Sequence, residues 1–310
     1  AAYWLDTQPE KAFVWRDSDN VMKGFAQLLA LEDVTPDERE RDPIVDRTLR
    51  ELDELADLRE GETARMCRFW FDAENYQQRS PIQPRLFTLV SRNVSIIPGA
   101  SHGPIVNQNP EIWDARDDKR LRKLAEIELD DTCFGIYSRD WRKYDALEHF
   151  KQVVNVAITG EPAQMPGEPR YRVLSRDDFD AAVQDVLKNL HHGQRLVENE
   201  LAFSRAAGLD PTEREDPSIV EGRLRELVES AVESIRQTAD EPVYADVLRE
   251  TYLAPKQKQQ AVAESVSMSF STYRRRLDEA VARVSDALWR MELGDIADAR
   301  RPDVGDGEPR

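Results

Sequence analysis

The chain has 310 residues, of which 40% are hydrophobic and 33% are charged, and its formal net charge is −17 at pH 7. This length allows two or three domains with buried cores. No apolar run approaches the roughly eighteen residues of a membrane-spanning helix, and the negative charge argues against a protein that coats nucleic acid without sequence preference. The two cysteines, Cys67 and Cys133, lie in apolar runs, so buried thiols in a reducing cytoplasm are expected.

The first half of the chain alternates strand-like and helix-like stretches. A β-hairpin is predicted from strands at 12–16 and 21–29, because the turn cluster between them tolerates tight geometry. Asp42 can cap a helix whose first position holds Pro43, so a helix is expected to begin there and to run to about residue 58. The apolar run at 64–71 predicts a buried strand.

The same alternation continues to the end of this half. It predicts a mixed sheet with helices on both faces, so residues 1–159 are expected to form one α+β domain. A long loop in it contains His102 and ends at Pro110. The further elements expected are helix 82–92, strand 94–97, strands 123–129 and 132–137, and helix 144–158.

The two hairpin strands read FVWR (13–16) and VMKGF (21–25). With the helix and strand that follow, this form resembles the core of an N-acetyltransferase-like (GNAT) domain, over residues 10–158. Members of that family bind acetyl-CoA through an Arg/Gln-x-x-Gly-x-Gly/Ala loop, whose backbone N–H groups cradle the pyrophosphate. No such loop follows a predicted strand, so we expect no cofactor and a domain that senses or scaffolds. An acyl-CoA-dependent N-acyltransferase with an accessory helical domain is the alternative.

Residues 160–172 are rich in Pro and Gly and are predicted to be a linker. Everything after it reads as helix, so residues 173–294 are expected to form an all-helical domain. Ser175 begins this domain as an N-cap, with an acidic residue three positions later. Residues 295–310 are polar and contain Pro and Gly, which predicts a disordered tail. The helices expected before the last pair span 179–190, 196–207, 217–237 and 243–252.

Residues 257–293 carry two amphipathic helical patterns that meet at a short break, Ser267-Met268-Ser269. Ser269 is a good N-cap for the second helix, because its hydroxyl can accept from an otherwise unpaired backbone N–H. Ser267 takes the turn position where Gly is usual, since the backbone there often needs a positive φ. The apolar face predicted for the second helix consists of Phe270, Tyr273, Leu277, Ala280, Val281, Val284 and Leu288.

A short helix, a tight turn and a second helix form a helix-turn-helix pattern. Ala263 is expected where the two helices cross and only a small side chain fits. The stretch 256–293 resembles the C-terminal helix-turn-helix of bacterial sigma factors, their fourth region. By that resemblance, the residues that face the DNA groove or its phosphates are Ser271, Thr272, Arg274 and Arg275, while Lys256 and Lys258 approach the backbone. Arg276 completes the candidate DNA-binding set.

The charge of this stretch stands out from the rest of the chain. From residue 256 to residue 276 five basic residues face one acidic residue, Glu264. A basic island in an acidic chain suits a localised DNA reader, and it suits equally a docking face for an acidic protein partner. A helical hairpin that only packs is the third interpretation.

Other patterns predict no catalytic residue and no metal site. His191 and His192 are adjacent at a helix end, so they point in different directions, and no Cys or acidic pair stands at ligand spacing nearby. Cys133 with His102 or His149 would supply a nucleophile and a base, but no elbow motif accompanies them, and Cys is more often a buried small hydrophobe. No phosphate loop, dinucleotide fingerprint or zinc-finger spacing is present.

The sequence thus predicts a bacterial regulatory or signalling protein of the cytoplasm, with no membrane contact. Its helical domain is expected to bind DNA or a protein partner, and a non-catalytic interaction module is the remaining alternative. The layout looks like the C-terminal portion of multidomain bacterial regulators in which such modules follow an ATPase. Because the chain begins without Met, we expect it to be a piece of a longer protein, with an upstream ATPase domain as a partner.

Overall fold

A computed structural model of the chain divides into two compact units, Ala1–Pro169 and Arg170–Arg310. The first unit contains a mixed sheet with helices, and the described part of the second is helical, so the predicted α+β fold class is confirmed. Most of the predicted linker (160–168) and the whole predicted tail (295–310) lie outside the described residues. The structure describes residues 2–55, 58–78, 80, 83–115, 120–159, 169–238, 242–254 and 258–294.

The described residues of the first unit form a seven-stranded sheet. Its strands are β1 (Ala12–Arg16), β2 (Met22–Ala30), β3 (Thr63–Asp72), β4 (Ala100–His102), β5 (Ile105–Gln108), β6 (Arg122–Leu129) and β7 (Thr132–Ser138). The strand order is β1-β2-β3-β5-β7-β6, with β4 paired to β3. Strand β3 runs parallel to β4 and β5, and the remaining pairs are antiparallel. The predicted hairpin β1-β2 is confirmed, and so are the two strands predicted at 123–129 and 132–137, which pair as β6 and β7.

Helices cover both faces of this sheet. Successive residues of a strand point to opposite faces, and in β3 both Met66 and Cys67 are fully buried, one in each of two separate cores. That two-sided burial explains why the central strands read as continuous apolar runs. The helices of this unit are α1 (Ala2–Thr7), α2 (Pro36–Arg41), α3 (Pro43–Glu54), α4 (Gln83–Ser95), α5 (Pro110–Asp114) and α6 (Ala146–Thr159).

Asp42 caps α3, as the sequence predicts. Its Oδ1 accepts from the backbone N–H groups of Ile44 and Val45 at 3.1 and 3.3 Å. The same carboxylate accepts from Arg68 Nε at 2.8 Å and from the Trp4 indole N–H at 2.8 Å. Burial alone would raise the pKa of Asp42, but the charge and hydrogen bonds of Arg68 hold it below its ordinary value. One side chain therefore fixes the start of a helix and ties it to β3.

The predicted strand at 94–97 is wrong. Residues 94 and 95 are the last of α4, because Leu86, Val90 and Val94 recur every four residues and bury one helix face against the sheet. The sheet strands lie in the segment predicted as a loop, where β4 and β5 are found. A strand of three or four residues is too short to show an alternating pattern.

The second unit packs most of its helices around a large apolar core. Phe179 and Trp289 meet edge to face there, with ring centroids 5.1 Å apart. The predicted helix at 196–207 is wrong, because the Asn199 side chain caps a separate 3-10 turn, Glu200–Phe203, by accepting from the Leu201 N–H at 2.8 Å. The helices are α7 (Arg176–Asn189), α8 (Gly193–Val197), α9 (Pro217–Thr238), α10 (Val243–Leu248), α11 (Gln259–Ser265) and α12 (Phe270–Leu293).

Candidate nucleic-acid interface

The turn between α11 and α12 has the hydrogen bonds of a helix C-cap. Ser267 has a φ of 56°, in the left-handed region. Its N–H donates to the Glu264 carbonyl at 3.1 Å, and the Met268 N–H donates to the Ala263 carbonyl at 2.9 Å. This pair of bonds is a Schellman motif, which satisfies carbonyls that a helix end leaves unpaired. The predicted turn position of Ser267 is confirmed, and a residue other than Gly adopts it.

Ser269 is the N-cap of α12, which confirms its predicted role. Its Oγ accepts from the Thr272 N–H at 3.2 Å and lies 3.1 Å from Ser271 Oγ. The first N–H groups of any helix have no intrahelical partner. Because the cap takes the N–H of Thr272, those of Phe270 and Ser271 stay available at the start of α12, with no hydrogen bond to another described residue.

A small apolar core holds α12 against α11 and α10. Ala263 is 2% exposed at the helix crossing, as its small size predicts. Tyr273 is fully buried, and its hydroxyl lies 2.9 Å from Thr251 Oγ1. The start of α12 is thus fixed by packing and by a buried hydrogen bond, and it presents its outer face in a defined orientation. The buried residues of this core are Val247, Val262, Ala263, Tyr273 and Leu277.

Most of the candidate DNA-binding side chains lie on the surface. Arg274 is exposed and makes no hydrogen bond or ion pair with another described residue. Arg275 is also exposed, and its Nη1 donates to Glu279 Oε1 at 3.1 Å, an i,i+4 pair open to solvent. Ser271 and Lys258 are exposed and Thr272 is half-buried. Lys256 lies outside the described residues.

Arg276 differs from the two arginines before it. It is half-buried, and its Nη1 donates to the Tyr244 hydroxyl at 2.6 Å, with the guanidinium 5.0 Å from the Tyr244 ring centroid. The Tyr244 hydroxyl in turn donates to Glu279 Oε2 at 2.6 Å. That hydrogen bond, with the nearby Arg275 and Arg276, holds the pKa of Glu279 below its ordinary value. Arg276 therefore ties α12 to α10.

Phe270 is 45% exposed, although the sequence placed it on the apolar face. It occupies the first position of α12, which lies beyond the small core, and its ring stacks 6.2 Å from that of Tyr273. Sequence reasoning also missed Tyr244 as the partner of Arg276. The i,i+3 spacing of Arg276 and Glu279 was a usable signal, whereas nothing local pointed to Tyr244.

The crevice between β3 and β5 in the first unit bears on the acyl-CoA alternative. These parallel strands pair at Cys67 and Ile105 and then diverge. The Gln77 amide fills the gap, since its Nε2 donates to the Trp70 carbonyl at 3.0 Å and its Oε1 accepts from the Gln108 N–H at 2.7 Å. The carboxyl ends of parallel strands are a common place for ligands. Here the Gln77 side chain already makes hydrogen bonds to the backbone groups of the crevice.

Cys133 and the histidines do not form a nucleophile and base. Cys133 is at the start of β7, and His102 pairs with Asp140 beyond the end of that strand. The strand length separates the two positions by about 17 Å. His149 packs edge to face against Trp141 instead, with ring centroids 5.2 Å apart. Burial and nearby carboxylates raise the pKa of the Cys133 thiol, which disfavours the thiolate that a nucleophile needs.

Three further observations bear on the site. Within the described ranges, no group of three or more His, Cys, Asp or Glu side chains could hold a metal ion. No described helix combines the length and the apolar composition that crossing a bilayer requires. Comparisons of the chain with protein-family models, with curated proteins and with solved structures found no match.

Proposed function

We propose that the helical unit binds double-stranded DNA, with the first turns of α12 in the major groove. The observation that carries this proposal is the exposed arginine pair at the start of α12, of which Arg274 has no ion pair among the described residues. Arginine is the residue that most often reads guanine in the major groove, through two parallel hydrogen bonds. A guanidinium without a protein partner loses no existing ion pair when it does so.

The form of the two helices supports the proposal. In helix-turn-helix proteins the N-terminal residues of the second helix contact base edges. Here those residues are Phe270, Ser271, Arg274 and Arg275, all exposed. The backbone N–H groups at the start of α12, together with the positive end of the helix dipole, suit a DNA phosphate.

The charge distribution limits the expected affinity. The described cations that can reach DNA are few, namely Lys258, Arg274 and Arg275, within a chain of net charge −17. Neutralising about three phosphates gives a slope near −3 in a plot of log affinity against log salt concentration. Binding is therefore expected to depend on a specific sequence more than on general attraction to DNA.

The test is fluorescence anisotropy with a DNA site selected from a random-sequence pool, at two salt concentrations. The substitution Arg274→Ala is expected to weaken binding about tenfold or more, since a hydrogen bond to a charged group contributes about 1.5–3 kcal/mol. The matched control is Arg290→Ala, which removes the same charge at an exposed position near the end of α12. Arg290→Ala is expected to leave affinity within about twofold, because exposed charges more than a Debye length apart, about 10 Å, are screened.

Two outcomes would overturn the proposal. One is that selection recovers no DNA site that the protein binds at low salt. The other is that Arg274→Ala and Arg290→Ala weaken binding equally, which would indicate a general charge effect. If the protein binds a protein partner instead of DNA, and Arg274→Ala abolishes that binding, the same surface is a docking site for the partner.

The wider role that we propose is regulation. The α+β unit would sense a signal or serve as a scaffold, and the helical unit would bind DNA. The closed crevice between β3 and β5 supports this division over acyl transfer, because Gln77 occupies the backbone groups there.

A further inference from the structure

A cavity of about 220 Å³ opens in the α+β unit at the edge of the sheet where β7 ends. Ser138, the last residue of β7, and Arg122, the first residue of β6, lie on its wall. His102 at the end of β4 and the 3-10 turn Trp141–Lys143 also contribute. This edge is opposite the carboxyl ends of β3 and β5, so the cavity is separate from the crevice that Gln77 fills.

The wall of this cavity is strongly cationic. Four basic residues line it, whereas Asp140 is the one carboxylate among the described lining residues. The whole chain carries a net charge of −17, so this concentration of positive charge is unusual for the molecule. Basic side chains gathered around a concave, partly buried site raise the local concentration of anions. The four basic residues are Arg120, Arg122, Arg142 and Lys143.

Arg142 is the structural member of this set. Its Nε donates to Asp140 Oδ1 at 2.8 Å and its Nη1 to Glu62 Oε2 at 3.2 Å. Burial alone would raise the pKa of Asp140, but Arg142 lowers it to about 2, so this carboxylate stays ionised. Two carboxylates thus offset Arg142, whereas Arg122 is exposed at the wall and has no ion pair with a described residue.

Two buried polar groups on the wall lack a partner. Arg142 Nη2 lies 3.1 Å from His102 Nε2, and a guanidinium can only donate, so Nε2 accepts and the ring proton is on Nδ1. Burial lowers the pKa of His102 to about 4, which keeps the ring neutral. His102 is 8% exposed and Ser138 is 3% exposed. Neither His102 Nδ1 nor Ser138 Oγ has a hydrogen-bond partner among the described residues.

Buried donors without an acceptor are rare in folded proteins, because each loses its hydrogen bond to water. Here the two residues that carry such groups, His102 and Ser138, line one cavity together with cations. We propose that this cavity binds the phosphate group of a small phosphorylated molecule, held by Ser138 and His102 inside and by Arg122 and Lys143 at the wall. This inference does not depend on DNA binding by the helical unit.

Phosphate fits the cavity better than carboxylate does. Its three or more oxygens can accept from all of these donors at once, whereas a carboxylate has two oxygens. The volume is below the roughly 300–1,000 Å³ of pockets for drug-sized ligands. It leaves room for one phosphate and a short organic remainder.

The test is isothermal titration calorimetry of the full chain with inorganic phosphate, glycerol 3-phosphate and succinate, each at ionic strength matched with sodium chloride. Phosphate and glycerol 3-phosphate are expected to bind, and succinate to bind at least about tenfold more weakly. Arg122→Ala is expected to weaken phosphate binding about tenfold, because it removes a charge-assisted hydrogen bond. The matched control is Lys123→Ala, the next residue of β6, whose Nζ pairs with Asp114 at 2.6 Å away from the cavity.

Ser138→Ala tests the inner wall of the cavity. This variant is expected to bind both phosphate and glycerol 3-phosphate more weakly, by a similar factor. If that variant does not fold, the imidazole signals of His102 in the intact protein replace it, and phosphate is expected to shift them. The proposal is overturned if phosphate gives no heat beyond the chloride control. It is also overturned if succinate binds as tightly as phosphate, or if Arg122→Ala and Lys123→Ala have equal effects.

Discussion

Arginine has two different roles in the two units of this protein. In the α+β unit Arg142 is 8% exposed, and its guanidinium is held by Asp140, Glu62 and the His102 ring. In the helical unit Arg274 and Arg275 are exposed at the start of α12. Of the two, Arg275 forms an ion pair, with Glu279, and that pair is open to solvent. The same cation is therefore enclosed by partners in one place and open to a partner in the other.

The difference follows from what each environment does to a charge. A buried charge must be paired, because an unpaired one costs several kcal/mol, about 3–5 when one partner of a buried pair is removed. An exposed pair contributes about 0–1 kcal/mol, since water and salt screen it. Arg142 is therefore expected to matter for stability, and Arg274 and Arg275 for binding.

The largest effect is expected for Arg142→Ala, which removes the cation that joins the half-buried Asp140 to the buried Glu62, although Lys143 and Arg59 still pair with them. We expect the free energy of unfolding of the α+β unit to fall by about 3 kcal/mol, the lower end of the range for breaking a buried pair. Urea unfolding followed by tryptophan fluorescence measures it, because of the six tryptophans all but Trp289 lie in this unit. The control is Arg50→Ala in the same unit, which removes an exposed i,i+4 pair with Asp46 and is expected to change stability by less than about 0.5 kcal/mol. Equal losses of stability in the two variants would contradict the distinction between a buried, paired arginine and an exposed one.

The next effect is a dependence of stability on pH that comes from His102. Its folded pKa is about 4, below the ordinary value of 6.5, chiefly through burial and the charge of Arg142, against the opposing charges of Asp140 and Glu62. The unfolded state therefore takes up a proton first as the pH falls. The stability from neutral His102 is complete above pH 6.5 and is lost progressively down to about pH 4, by about 3 kcal/mol in all.

His102→Gln separates this contribution from that of the carboxylates, because Gln does not titrate and can still accept from Arg142. The difference in free energy of unfolding between the native protein and this variant is expected to shrink or reverse as the pH falls from 7 to 4. A difference that stays constant over that interval would mean that His102 titrates normally in the folded state.

Local chemistry accounts for what could be predicted from the sequence. The caps at Asp42, Ser175 and Ser269 depend on residues within a few positions, and all three are present in the structure. The positive φ at Ser267 follows from the short break between two apolar patterns. The helix-turn-helix form was predictable for the same reason, since its turn, cap and apolar faces all lie within one short stretch.

Contacts between distant parts of the chain account for what could not be predicted. Arg142 meets Glu62 across 80 positions and His102 across 40, and no spacing rule links them. The cavity arises from the ends of three strands and a 3-10 turn, so its residues share a location only after the sheet forms. Arg276 was included in the candidate DNA-binding set as part of the basic stretch 256–276, whereas Tyr244, 32 positions away, engages it.

A smaller effect is expected for Tyr273→Phe, which removes the hydroxyl 2.9 Å from Thr251 Oγ1 and keeps the buried ring. We expect a loss of about 1 kcal/mol in stability, the usual contribution of one hydrogen bond. Hydrogen exchange of α12 peptides, read by mass spectrometry, measures the helical unit on its own. DNA affinity is expected to stay unchanged at temperatures where the variant is folded, because Arg274 keeps its orientation. A large loss of affinity would show that stability and binding are not separate at α12.

The smallest effect is expected at the turn, where Ser267 holds a φ of 56°. A side chain in the left-handed region costs about 1–2 kcal/mol, and Gly avoids this cost but loses more chain entropy on folding, by about 0.4–1 kcal/mol. Ser267→Gly is therefore expected to stabilise the helical unit by about 0.5–1 kcal/mol in the same exchange measurement. Ser267→Ala is the control, because it keeps the Cβ and the strain. If Gly proves no more stable than Ala, the positive φ carries little strain, and the turn is set by the Schellman bonds from Ser267 and Met268 instead.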